Sequence, residues 1–179
     1  MFGIRRVVVG VSGSPGSLRA LRYAHELARP HTTLIPVLAW LPPGGDLADR
    51  RAPCGYLRRL WAEEARQRLQ DALGAAWGEI PADPPVWPVV RRGEPGRILV
   101  TIASPTDLLV VGAGHRGLLA RMASGSVSHY CLTHARCPVL AIPPPVLARE
   151  LGHGLLGWVF WHRPLTPDRI LHDHGNTAA

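Results

Sequence analysis

The segment RRVVVGVSGSPGSLRALRYAHELA, residues 5–28, decides the fold. Residues 5–12 form a continuous run rich in β-branched side chains, the composition of a strand buried on both faces. Gly10, Gly13 and Gly16 then open a tight turn, with Ser14 as N-cap and Pro15 at the first helical position. The helix that follows, to about Arg29, spaces Leu18, Leu21, His25 and Ala28 along one side. A buried strand, a glycine turn and an amphipathic helix make up the repeating unit of a parallel sheet.

The rest of the chain repeats the alternation. Residues 33–40, TLIPVLAW, read as a second strand in which Pro36 marks an edge or an irregular point. A loop rich in Pro, Gly and Asp extends to about Gly55. The helix from about Tyr56 to Ala76 keeps Leu57, Leu60, Trp61, Ala65, Leu69, Ala72, Leu73 and Ala76 at 3–4 spacing. VWPVVRRG (86–93) is a third strand interrupted by Pro88, followed by a short helix with Ile98 and Ile102 on its inner side. DLLVVG (107–112) and PVLAIP (138–143) are the fourth and fifth strands, separated by a helix that begins near Ser126. Five alternations predict an α/β domain with a single doubly wound parallel five-stranded sheet and right-handed crossovers. Ligands of such sheets gather outside the carboxyl ends of the strands, where both glycine-rich turns meet.

The second of those turns lies in LLVVGAGHRGLLARMASGS, residues 108–126. It delivers Gly125-Ser126 to a helix start, where free N–H groups and the positive end of the helix dipole favour an anion. Gly112, Gly114 and Gly117 would cradle a phosphate through backbone N–H groups, and Arg116 or Arg121 would add charge. The other account is that the glycines only permit positive φ in a turn, and that Ser126 is an N-cap. Gly112 to Gly117 spells G-x-G-x-x-G, but the dinucleotide fingerprint belongs on the first strand–helix turn, with an acidic residue about 20 positions on. Neither condition is met. His129, Cys131, His134 and Cys137 invite a metal reading, yet on a helix His129 is rotated away from Cys131 and His134. The expectation is that Cys131 packs inward, the histidines are partly exposed, and no metal is held. No order of residues argues for a Ser–His–Asp or Cys–His set, and no paired carboxylate lies near either glycine turn. A catalytic role is not expected.

Composition narrows the class further. The chain has 179 residues and a net charge of +7, with 20 basic residues, all of them arginine. Seventeen of these precede residue 144 and oppose ten acids there; beyond it three face three. The arginines are scattered over several elements, so the charge favours anionic partners in general without predicting a nucleic-acid surface. Three cysteines (Cys54, Cys131 and Cys137) form no framework and suit reduced thiols in the cytoplasm. No stretch reaches the ~20 apolar residues of a membrane span, and the N-terminal apolar run is too short for a signal peptide.

With these residues in hand, the chain resembles the universal stress protein family from Arg5 to Pro143. The likeness rests on residues 5–28 and on VVGAGHRG together with GSVSHYCLTHARCPVLAIP at the expected separation. It implies a flavodoxin-like sheet of order 3-2-1-4-5, a homodimer paired through the last strand, Pro138–Pro143, and a sensing role toward a regulatory partner. It also implies ATP, with magnesium, in the cleft. Gly10, Ser12 and Gly13 would border the nucleoside, the backbone near Ala39 the base, and Gly112, Gly114, Arg116, Gly117, Gly125, Ser126 and Val127 the phosphates. Two positions depart from the family pattern: His115 replaces the second glycine of the phosphate loop, and Ser12 stands where an acidic residue is usual.

Residues 1–143 are thus expected to form the nucleotide-binding domain and 144–179 a short extension. In the extension Leu155, Leu156, Trp158, Val159, Phe160 and Trp161 make an apolar block too costly to leave in water. It is expected to pack on the domain or a dimer interface. The alternative function is a domain that binds no nucleotide and acts through this aromatic tail as a protein-interaction module.

Overall fold

The computed structural model describes residues 4–29, 31–51, 53–113 and 127–143. Strands β1 (Arg6–Gly10), β2 (Thr33–Trp40), β3 (Val89–Arg92), β4 (Leu108–Gly112) and β5 (Val139–Ile142) form one parallel sheet of order β3-β2-β1-β4-β5. The helices are α1 (Pro15–Leu27), α2 (Gly45–Arg51), α3 (Gly55–Trp77), α4 (Pro95–Ile102) and α5 (Val127–His134). This is the doubly wound architecture that the alternation predicted, with the strand order that the resemblance implied.

Alternation along the strands builds a core on each face of the sheet. Val7 and Val9 join Ala20, Leu21 and Ala24 of α1 and Ala65, Leu69, Ala72 and Leu73 of α3. Val8 points the other way, to Leu99 of α4 and Cys131 of α5. The central strand is sealed on both sides, which is why its sequence is a continuous apolar run rather than an alternating one. Leu21 and Leu73 are wholly buried, and each contributes about 2 kcal/mol of hydrophobic stabilisation. In α4 the buried residue is Leu99, with Ile98 and Ile102 packed beside it as partners.

Three local expectations are corrected. Of the two readings of Pro36, an edge or an irregular point, only the edge is overturned, because β3 lies outside β2 while the β2–β3 ladder is irregular at Pro36. Pro36 is tolerated because its nitrogen faces β3 at a break in that ladder. Leu34 bonds toward the β3 side, to Pro85 and Trp87, and Pro36 shares its direction by the alternation of the strand. The β2–β3 pairing is an isolated bridge, Leu34 with Val86, that resumes only at Val37 and Val89. The β1 side stays intact, with Val11 N–H donating to Val37 O at 2.8 Å.

The second correction concerns the first glycine turn. Only Gly13 needs a positive φ, at 80°. Gly10 ends β1 and Gly16 lies within α1. Third, the loop before Gly55 contains the seven-residue helix α2. Asp46 in its first turn and Arg50 and Arg51 in its last complement the helix dipole. Its Asp49 carboxylate, buried, accepts from Arg58 Nε at 2.9 Å and Arg92 Nη2 at 2.8 Å, tying α2 to α3 and β3. Such a tie between distant elements leaves no periodic trace in the sequence.

Among the described residues no helix is long and apolar enough to cross a membrane. The expected extension, residues 144–179, and its apolar block lie outside the described residues.

Candidate functional site

A cleft of about 350 Å³ opens at the carboxyl ends of β1, β2 and β4. Its floor is Gly10, Val11, Val37, Leu38, Ala39, Val111 and Gly112; Pro95 and Leu99 of α4 and Val127 of α5 form one wall. Ser12, Ser14, Ser17 and Arg68 line the other side. The position is the one that open α/β sheets use for ligands, because strand order reverses between β1 and β4.

Each polar group is placed by a local cause. Ser14 caps α1: its Oγ accepts from Ser17 N–H at 3.3 Å, and its carbonyl accepts from Leu18 N–H at 2.9 Å. Ser17 Oγ donates to Ser14 O at 2.9 Å and accepts from Ser12 N–H at 3.2 Å. Ser12 Oγ stands 3.0 Å from Ser14 Oγ. The three hydroxyls thus form one patch at the start of α1, with Ser12 exposed to the cleft mouth. Pro15 at N1 removes an N–H that a helix start would leave unpaired.

Gly112 has a packing reason that sequence reading did not supply. A Cβ there would lie 2.5 Å from Gly16 C and 2.7 Å from Gly16 O and Ser17 N. The end of β4 therefore runs backbone to backbone against the first turn of α1, and only glycine fits. Gly16 faces the same contact from the helix side, its own Cβ position 3.3 Å from Ala113 O. Gly112 and Ala113, at the end of β4, thus meet the first turn of α1, as the topology required.

Of the expected site residues, Gly10, Ser12, Ala39, Gly112 and Val127 line the cleft. Gly13 follows Ser12 in the turn, outside the lining. Gly114, Arg116, Gly117, Gly125 and Ser126 lie outside the described residues. Sequence reading missed Ser14 and Ser17 as lining groups, and Pro95 and Leu99, which the helix after the third strand could have disclosed through the parallel topology. It also missed Arg68, for which no local signal exists on a polar helix face.

The cysteines and histidines of the cluster meet different surroundings. Cys131 is buried, and burial pushes its thiol up to about 11; burial also raises Cys137. His129 and His134 are exposed, and His134 stacks on Tyr130 with ring centroids 4.1 Å apart. Among the described residues no group of three His, Cys, Asp or Glu side chains is placed to hold a metal ion.

Comparison with known proteins places this geometry. The model of the universal stress protein family matches residues 3–143. Universal stress protein Rv2005c of Mycobacterium tuberculosis is 38% identical over 135 residues, covering 75% of this chain and 44% of that protein. Universal stress protein Sll1388 of Synechocystis is 34% identical over 87 residues, 47% of this chain and 49% of that one. The chain thus spans less than half the length of these curated relatives. Among solved structures, a universal stress protein in complex with cAMP superimposes with a TM-score of 0.52 at 27% identity, covering 79% of this chain and 98% of its own. UspA from Lactobacillus plantarum, at 21% identity and a TM-score of 0.55, shares the fold over 78% of this chain and 99% of its own.

Proposed function

This chain belongs to the universal stress protein family, and from that premise we propose that its cleft binds an adenine nucleotide, ATP in the first place, and signals occupancy to a regulatory partner. The observation that carries the reading is the cleft: an apolar floor able to take a flat base, beside hydroxyls and one guanidinium, at the strand-order reversal. The relative solved with cAMP, alike in fold and at 27% identity, supports an adenine ligand.

In this reading the base rests near the Ala39 backbone and the nucleoside along Gly10, Ser12 and Gly13. The phosphates run past Gly112 toward the segment holding Gly114, Arg116, Gly117, Gly125, Ser126 and Val127. The described lining holds no carboxylate, so nothing there fits a protein-held magnesium ion. Its groups are those of binding rather than turnover, and the role is a sensor's. The chain acts in the cytoplasm as a homodimer paired through Pro138–Pro143; β5 is the outermost strand, and its Val139, Leu140 and Ala141 are only half-buried.

Denaturing the purified protein and chromatographing the supernatant tests the reading, followed by calorimetric titration of the emptied protein with Mg-ATP. Stoichiometric adenine nucleotide or micromolar heat of binding is expected. An empty protein with no heat of binding refutes it.

A further inference from the structure

Arg68 is the one charged side chain among the described residues that line the cleft. It stands on α3, which packs over β2 and β3, and lines the cleft. Two other arginines of α3 are committed, Arg58 to Asp49 and Arg66 to Glu63, and Arg59 does not line the cleft. Even the carboxylate three residues along, Asp71, accepts from the Gln67 amide at 2.9 Å. Arg68 makes no hydrogen bond or ion pair with another described residue.

We propose that Arg68 reads the negative charge of the nucleotide by pairing with the phosphate joined directly to the ribose. The inference rests on the nucleotide reading above and adds to it a specificity for nucleotide over nucleoside. A guanidinium is always charged and offers five donors in a planar fork that matches phosphate oxygens. Beside an apolar floor its charge-assisted bond is stronger than one in open water. The location selects which phosphate. In the pose proposed above the nucleoside lies on the β2 side and the phosphate chain extends toward Gly112 at the end of β4, so an arginine on α3, which packs over β2 and β3, meets the first phosphate rather than the last.

The full-length chain, Arg68→Gln and Arg68→Lys are titrated calorimetrically with adenosine, AMP and ATP, and thermal melts verify that each variant folds. Arg68 is exposed on a helix and both replacements are good helix formers, so the fold is retained. The expected result is that the parent prefers AMP to adenosine. Arg68→Gln weakens AMP and ATP alike, by about tenfold, leaves adenosine unchanged, and Arg68→Lys recovers part of the loss. Raising the salt concentration shrinks the difference between parent and variant. Equal losses for adenosine and AMP would mean that Arg68 only packs, and a loss confined to ATP would place it at the chain's far end; either overturns the proposal, as does an unchanged AMP affinity. A parent protein that binds none of the three ligands overturns the nucleotide reading itself, and this inference with it.

Discussion

Replacing Gly112 by alanine separates two roles for a glycine-rich turn. If Gly112 serves only to cradle phosphate, Gly112→Ala leaves the ligand-free protein as stable as before. The structure requires otherwise. The new Cβ would stand 2.5 Å from Gly16 C and 2.7 Å from Gly16 O and Ser17 N. Ordinary contact needs nearly an ångström more, and all three atoms are backbone at the start of a helix whose Ala20, Leu21 and Ala24 are anchored in the core. No rotamer can relieve the clash, so β4 and α1 must separate. Overpacking of this kind costs about 1–3 kcal/mol, and backbone neighbours put this case near the upper end. At roughly 2–4 °C per kcal/mol for a chain of this size, the melting temperature should fall by about 5–10 °C. The assay is thermal unfolding by circular dichroism on nucleotide-free protein, with urea midpoints as a second measure. Gly74→Ala in α3 is the control: its Cβ would meet nothing within 4 Å, and helix propensity should raise stability by about 0.5–1 kcal/mol. A ligand-free Gly112→Ala protein that melts with the parent would refute the packing account.

Other consequences follow from the same contacts. Hydrogen bonding from Arg58 holds the Asp49 carboxyl below the usual carboxylate range. Its stabilising effect is therefore present above the unfolded pKa near 4 and lost as pH falls through the lower folded value. The melting-temperature gap between parent and Asp49→Asn should be open at pH 7 and close progressively below about pH 4. With the Cys131 thiol pushed up to about 11, about one molecule in a thousand is thiolate at pH 8, so a maleimide should label Cys131 only upon unfolding while half-buried Cys54 reacts first; peptide mass mapping of the native protein reads this directly. Asp107 is buried with its side chain 1% exposed, accepts from Arg6 Nε at 3.0 Å, Arg6 Nη2 at 2.6 Å and Ser104 N–H at 2.7 Å, and loses all three acceptor bonds in Asp107→Ala. Urea unfolding should show a loss of about 2–3 kcal/mol, below the full figure for a buried pair because Arg6 remains partly in water.

The residue pattern reaches the fold without help from coordinates because a doubly wound sheet writes itself locally. A strand sealed on both faces must be apolar throughout, as at Val7, Val8 and Val9, and its helix must be amphipathic, as at Leu69, Ala72 and Leu73. Ser14 and Pro15 announce the start of α1 through capping chemistry that involves only neighbours in the chain. The location of the cleft follows too, since parallel connections bring the turns after the first and fourth strands to one end of the sheet.

What the sequence could not determine depends on groups far apart in the chain. That Gly112 is required by Gly16 emerges only when two backbones separated by almost a hundred residues touch. The place of Pro36 in an inner strand becomes intelligible once the β2–β3 ladder is seen to break opposite it. Helix α2 is held by Asp49 reaching Arg58 and Arg92, and Arg68 becomes a cleft residue because α3 lies over β2. Local propensity and periodicity record a residue's own neighbours, whereas close approach, charge pairing and cleft lining are properties of pairs that only the folded chain creates.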